Sequence, residues 1–329
     1  MPDPDRRQQL IAFFSADMAN STEFKNRHQA RYSDGNLIPP RWPSYFSEIF
    51  SRVLQRFDEE MRKRRKLGRS TLLARPRLWK INGDELLFSE LILPGEDGLK
   101  WLAQAVEAFL ATIEAIDEEM LPDGCGLRGC VWSAGFPIRN KQIKVSSQQD
   151  PPIIRLEPDD TILPDFDTGL YYGTDVGLVD YLGPDMDLGF RLAAITPPGR
   201  VVCSLDASYL LMQRFDSPPI FHVGWRELKG IGGGAPYPIF WCSSGTERRA
   251  RHPWEQPASM PELNSFLNSS ALRLNEFMRI AEEYWTQLRD YFNRPYTSPE
   301  DITPEHLRIW QLVEDNPQEY GTIYLQDSP

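Results

Sequence analysis

Apolar and polar positions along this chain switch between a strand period and a helix period, and the switches mark its elements. Leu10 to Ala16 is a nearly continuous apolar run, broken only by Ser15, and predicts a buried strand. Asp17 to Thr22 is small and polar, suited to a tight turn and a helix start. Asn36 to Pro43, with three prolines, reads as a loop. Tyr45, Ile49, Val53, Phe57 and Met61 then recur at four-residue spacing, and Phe46, Phe50 and Leu54 widen the stripe. That is a helix with one face on a core. Leu78 to Ile81 and Leu86 to Leu93 predict the arms of a hairpin, with Asn82-Gly83 as its turn and Asp84 at the tip. Trp101, Leu102, Ala105, Val106, Phe109, Leu110 and Ile113 define a second amphipathic helix, and Leu127 to Gly135 a strand.

Pro137 to Tyr172 is proline-rich, polar and aperiodic, and predicts an insertion or flap. Beyond it, Leu188 to Ile195 and Ala207 to Phe215 read as helices. Arg200 to Ser204, Ile220 to Trp225 and Pro238 to Cys242 read as strands, the last two around the glycine-rich loop Lys229 to Gly234. Thr246 to Pro257 has linker composition. Leu272 to Phe292 and Pro304 to Glu314 predict two tail helices, in which Tyr284, Trp285 and Phe292 suit core or dimer packing. The order is strand, helix, hairpin, helix, strand, then further helices and strands. It predicts an α+β fold of ferredoxin-like βαββαβ type, an antiparallel sheet with helices on one face. Residues 1–245 would form this domain, with 137–172 inserted, and 246–329 a linker and helical C-terminal extension. No internal repeat is visible.

Composition narrows the classes. In 329 residues, 41% are hydrophobic and 25% charged, ordinary for a globular protein. No apolar run approaches the ~20 residues of a membrane span, and Met1 to Gln9 is polar, unlike a signal peptide. A cytoplasmic location is expected, with no membrane insertion. A net charge of -11 argues against nucleic-acid binding. The basic run Arg62, Lys63, Arg64, Arg65, Lys66 and Arg69 suits a solvated helix end better than a polyanion site. Cys125, Cys130, Cys203 and Cys242 form no Cys-x-x-Cys pair and read as buried thiols, and the four histidines lack metal-ligand spacing.

Candidate chemistry sits on Asp17 and Asp84, two carboxylates placed where apolar strands meet turns. If those strands are neighbours the carboxylates converge, and such a pair can hold hard cations such as Mg²⁺ or Mn²⁺. Taken singly, each has a plainer reading. Asp17 could cap a helix, Asp84 could serve a turn, Lys80 could be an exposed strand residue, Arg191 a helix-surface residue and Lys229 a solvated one. Their joint order favours a site.

Four segments between roughly Leu10 and Cys242 resemble, in order, the class III nucleotidyl cyclases. Phe14-Ser15-Ala16-Asp17-Met18-Ala19-Asn20-Ser21-Thr22 is similar to the family's first strand, whose aspartate binds both metals and whose following small residues let backbone N–H groups approach phosphates. Ala19 and Asn20 stand in its usual glycine region. Lys80-Ile81-Asn82-Gly83-Asp84 looks like its Lys-x-x-Gly-Asp hairpin, with Asp84 the second metal aspartate and Lys80 at a base-selecting position. Asp180 to Leu192 resembles the segment with a base-reading Asp, an Asn that orients the ribose and a transition-state Arg. Asp180 and Arg191 match, while Asp187 replaces the Asn. Glu227-Leu228-Lys229-Gly230-Ile231 is similar to the Leu-Lys-Gly hairpin whose lysine reaches the triphosphate.

The resemblance implies two Mg²⁺ or Mn²⁺ ions per site held by Asp17 and Asp84, and a nucleoside triphosphate substrate met by Met18, Asn20, Ser21, Thr22, Lys80, Asp180, Asp187 and Lys229. It also implies Arg191 at the transition state, and a homodimer whose sites lie between subunits. Lys80 with Asp180 is the family's adenine pairing. The overall layout and the motif departures, however, resemble the bacterial pyrimidine cyclases of Pycsar anti-phage defence. That likeness implies conversion of UTP, in preference to CTP, to a cyclic nucleotide that activates a separate effector protein. Tyr171, Tyr172 and Tyr181 could fill purine space. An adenylate cyclase, a diguanylate-cyclase type and a catalytically silent binding or dimerisation module are the competing classes.

Overall fold

The apolar run at the start of the chain becomes a strand buried on both faces, and the rest of the sheet grows outward from it. The computed structural model describes residues 9–33, 36–68, 75–119, 121, 125–136, 139–146, 153–156, 178–244, 255–288, 294–296 and four positions between 304 and 311. The first strand, β1 (Gln9–Ala19), leads into the short helix α1 (Ser21–Arg27) and a small separate hairpin, β2 (Arg31–Ser33) and β3 (Asn36–Ile38). The long helix α2 (Trp42–Gly68) precedes a second hairpin, β4 (Arg77–Asn82) and β5 (Glu85–Ile92). Helix α3 (Glu96–Glu119) and strand β6 (Gly126–Phe136) complete a βαββαβ core.

Three strands follow, β7 (Lys141–Ser146), β8 (Ile153–Leu156) and β9 (Leu178–Leu182), then α4 (Pro184–Ile195), β10 (Val201–Cys203) and α5 (Leu205–Met212). The strands β11 (Ile220–Arg226) and β12 (Tyr237–Cys242) and the helices α6 (Pro261–Asn268) and α7 (Leu274–Leu288) end the described chain's regular elements. The main sheet has the order β11-β12-β10-β6-β1-β5-β4, and a second sheet the order β8-β7-β9. The α+β ferredoxin-like expectation holds, with one parallel pairing, β6 with β10, in an otherwise antiparallel sheet.

The period of two along β1 sorts its neighbours. Phe14 packs on Phe57 of α2 and on Trp101 and Phe109 of α3. Phe13, pointing the other way, stacks on Trp132 at 5.3 Å and meets Trp79 and Tyr181 edge-on. Trp132 in turn packs on Phe190 of α4. The long helices thus share one face, as expected, while α4 covers the opposite one, which is why β1 reads as continuously apolar. At the far edge α6 and α7 straddle β12: Trp241 packs on Phe266 of α6 and its neighbour Phe240 on Phe277 of α7.

Several expectations are corrected in detail. The hairpin turn is Gly83-Asp84, not Asn82-Gly83, because Asn82 already pairs with Glu85 and Gly83 takes φ 68° at the first turn position. Part of the aperiodic insertion is ordered into β7 and β8, while 157–177, including Tyr171 and Tyr172, lies outside the described residues. Tyr181 is a core residue rather than a pocket filler, wedged among Phe13, Trp79 and Phe136. Helix α6 was not predicted. Tyr284 and Trp285 pack on Tyr237 and Tyr209 in the core, while Phe292, most of the linker and most of Pro304 to Glu314 fall outside the described residues.

In the basic run, Arg62 pairs with Asp58, and Lys63 and Arg64 with Glu60. Of the same run, Arg69 and the side chains of Arg65 and Lys66 lie outside the described residues. All four cysteines are buried free thiols, with the sulfurs of Cys203 and Cys242 in contact at 2.9 Å. Among the described residues no helix is long and apolar enough to cross a membrane.

Candidate active site

Register brings the candidate residues to one end and one face of the sheet. Asp17 on β1 lies opposite Glu85 on β5 and opposite Arg128 on β6, and Glu85 opposite Asn82 on β4. These four form a row on the α4 face. One step further in lies the row Lys80, Leu87, Ser15 and Cys130. The two rows are about 7 Å apart along the strands.

Asp84 reaches this end from the turn, and the two strands are tied there by Met18 N–H donating to the Asp84 carbonyl at 3.3 Å. The Asp84 carboxylate accepts from the Ser21 hydroxyl and lies 3.6 Å from Lys25 Nζ. Just before α1, Asn20 takes the left-handed conformation, φ 61°, the only described non-glycine residue with positive φ. Asparagine tolerates that region better than most side chains, so its place in the glycine region of the family pattern is physically consistent.

Asp17 is held by a partner that sequence reasoning missed. Arg128 Nε donates to Asp17 Oδ2 at 2.7 Å, and Arg128 Nη2 reaches the same oxygen. Arg128 Nη1 donates to the carbonyls of Ala194 at 3.1 Å and Thr196 at 3.3 Å, at the end of α4. Burial raises the Asp17 carboxyl above its ordinary value despite Arg128, and the charge of Asp84 pushes the same way. Glu85 is likewise raised, by burial first and by Asp17, while Ser15 and Asn82 donate to its carboxylate. A cleft of about 530 Å³ opens here, lined by Met18, Asn20, Ser21, Thr22, Glu23, Asn26, Asp84 and Arg128.

The base-reading candidates also meet. Lys80 Nζ lies 2.8 Å from Asp180 Oδ1 and 4.0 Å over the Trp79 ring. Asp180 takes the backbone N–H of Tyr181 as well. Gly183, at φ 144° with Asn140 2.4 Å from where a Cβ would stand, lets β9 turn directly into α4. Asp187 and Arg191 are both exposed and one turn apart on that helix, and Lys229 is exposed in the loop after β11. Among the described residues no ion pair joins Arg191 or Lys229 to Asp17 or Asp84.

The site fits a hard divalent cation in its donor set. One carboxylate from β1 and one from the β4–β5 turn share one end of the sheet, and each is paired with a cationic side chain, Arg128 for Asp17 and Lys25 for Asp84. One or two carboxylates with substrate phosphates are the usual Mg²⁺ complement. Among the described residues no cluster of three or more His, Cys, Asp or Glu suggests a separate all-protein metal cage.

No family model and no curated protein matches the chain. Among solved structures, the adenylyl cyclase CyaB from P. aeruginosa aligns with 76% of this chain and 98% of its own, at 11% identity and TM-score 0.44. The guanylate cyclase domain of RhGC from Catenaria anguillulae, in complex with GTP, aligns with 72% of this chain and 98% of its own, at 13% identity and TM-score 0.42. A Trypanosoma brucei adenylate cyclase in its monomeric state covers 73% of this chain and 92% of its own, at 13% identity and TM-score 0.42.

Proposed function

We propose that the chain is a two-metal nucleotidyl cyclase, with a pyrimidine triphosphate, UTP before CTP, as its substrate. The observation that carries the reading is the arrival of Asp17 and Asp84 at one end of the sheet beside a polar cleft, with the Lys80–Asp180 pair on the same sheet face. Asp17 and Asp84 would hold Mg²⁺ or Mn²⁺, and the metal when bound would lower the pKa of the 3′-hydroxyl and neutralise triphosphate charge. The chain's own residues do the rest. Ser21, Thr22, Asn20 and Met18 line the phosphate side. Lys80 and Asp180 read the base, Asp187 meets the ribose and Lys229 the triphosphate. Arg191 stabilises charge growing on the α-phosphate. The 3′-oxygen bonds to the α-phosphorus as its proton leaves to solvent, the bridge to the β-phosphate breaks, and pyrophosphate departs.

The exposed positions of Asp187, Arg191 and Lys229, unpaired with the metal aspartates of their own chain, support a C₂ homodimer with each site shared. The likeness in layout to Pycsar cyclases supports a role in anti-phage defence, with the cyclic nucleotide acting on a separate effector protein. A second reading, cyclic AMP from ATP, is favoured by the Lys80–Asp180 pair itself.

Incubating the purified protein with each of ATP, GTP, CTP and UTP and Mn²⁺ tests all of this. Cyclic UMP as the main product, lost in Asp17→Ala and Asp84→Ala, is expected. Cyclic AMP alone would end the pyrimidine reading, and no product from any triphosphate would favour the silent module. Mixing Asp84→Ala with Arg191→Ala should restore part of the activity if sites are shared.

A further inference from the structure

We infer that Arg128 is a built-in counter-ion that competes with the divalent cation for Asp17, so that loading the site requires this guanidinium to let go. The inference rests on the metal role proposed above for Asp17, and adds a residue to which nothing in the cyclase resemblance assigns a part.

The geometry is specific. Two nitrogens of Arg128 converge on a single oxygen, Asp17 Oδ2, at the end of β1. A guanidinium aimed this way occupies the directions from which a cation would approach that oxygen. Arg128 also lines the cleft beside Asp84, whereas Asp17 does not. The side chain therefore stands between Asp17 and the space a phosphate-bound ion would enter. The pair is mostly buried, with side-chain exposures of 23% for Arg128 and 15% for Asp17, so solvent does little to screen it.

The third nitrogen gives the guanidinium a place to remain. Nη1 is bonded to the carbonyls of Ala194 and Thr196 at the end of α4. Those acceptors carry partial negative charge at a helix C-terminus and favour a cation. Release of Asp17 leaves Arg128 on α4, the helix that carries Asp187 and Arg191. Arg128 is thus a positioning residue in this reading, acting on the reaction through Asp17 and α4.

The test is Mn²⁺ binding without nucleotide, followed by the paramagnetic resonance signal of free Mn²⁺. Arg128→Gln removes the charge and keeps a shorter, neutral polar side chain. It should tighten Mn²⁺ by about tenfold, equivalent to about 1.4 kcal/mol. Arg128→Lys, which keeps the charge but loses the fork, should tighten it less, and it stands in if the glutamine variant does not fold. A mere strut would lower thermal stability and leave Mn²⁺ affinity unchanged or weaker, and that result would overturn the inference. Asp17→Asn separates the two readings. If it binds Mn²⁺ as well as the wild type, Asp17 is not a ligand and both readings fall. If it binds poorly while Arg128→Gln and wild type are equal, only the competition falls.

Discussion

Lys80 and Asp180, on strands of two different sheets, meet at 2.8 Å on the α4 face. Their side chains are 33% and 46% exposed, so the pair contributes little to stability, about 1 kcal/mol or less. Lys80→Ala should therefore shift the melting temperature by no more than about 4 °C, yet change which triphosphate is turned over. Melting curves beside a KM and kcat panel for the four nucleotides check this. A large loss of stability with unchanged base preference would make the pair structural.

Asp185 is the opposite case. It is 3% exposed and accepts from Arg139 Nη2, from Asn140 Nδ2 at 2.7 Å and from the Gly135 N–H at 3.2 Å. Asp185→Ala leaves Arg139 without this carboxylate and should cost about 3 kcal/mol. A urea titration should show the midpoint falling with little change in slope.

Gly189 sits on α4 directly against Trp132, where an added Cβ would lie 2.3 Å from the indole ring. Gly189→Ala should cost about 1–3 kcal/mol through overpacking. It should also push α4 off the sheet, carrying Asp187 and Arg191 with it. Turnover falling further than the melting temperature alone explains would be seen by comparing both in one preparation.

Asp206 predicts a pH dependence. Burial and then the charge of Asp185 raise its carboxyl from 3.8 to about 7, against the pull of Arg139. Between about pH 4 and 7 the folded chain then holds a proton that the unfolded chain has lost, so this group makes stability fall as pH rises. The loss is complete above about pH 7 and amounts to at most about 4 kcal/mol. Asp206→Asn should flatten that slope in denaturation curves run from pH 4 to 8. An unchanged slope would show that the group is ionised throughout.

The sequence made the long-period elements legible because each is set by its own residues: the β1 run, the stripes of α2 and α3, the hairpin. Asp17 and Asp84 stand out at the junctions of apolar runs with turns, whereas Lys80 and Asp180 lie inside β4 and β9 and stand out only through the family-like order of the segments that carry them. Arg128 had no such signal. It lies within a strand, and its partner Asp17 is 111 residues away, so only the register of β1 against β6 reveals it. The turn was misplaced by one residue because Asn-Gly marks a turn but not its pairing. Strands β7 and β8 were missed because they are short and lie in a polar, proline-rich stretch. Helix α6 was missed because its eight residues are too few to display a stripe.

Arg200 and Glu255 are buried at 4% and 0% side-chain exposure and face each other at 3.2 Å. One belongs to the approach to β10, the other to the chain leading into α6. A chain cut after β12 would lose both Glu255 and Phe266, the carboxylate and the ring that close over Arg200, and would bare both sides of the outer strands. The tail is a clasp on the sheet, so a fragment that is to keep these contacts has to run through Leu288.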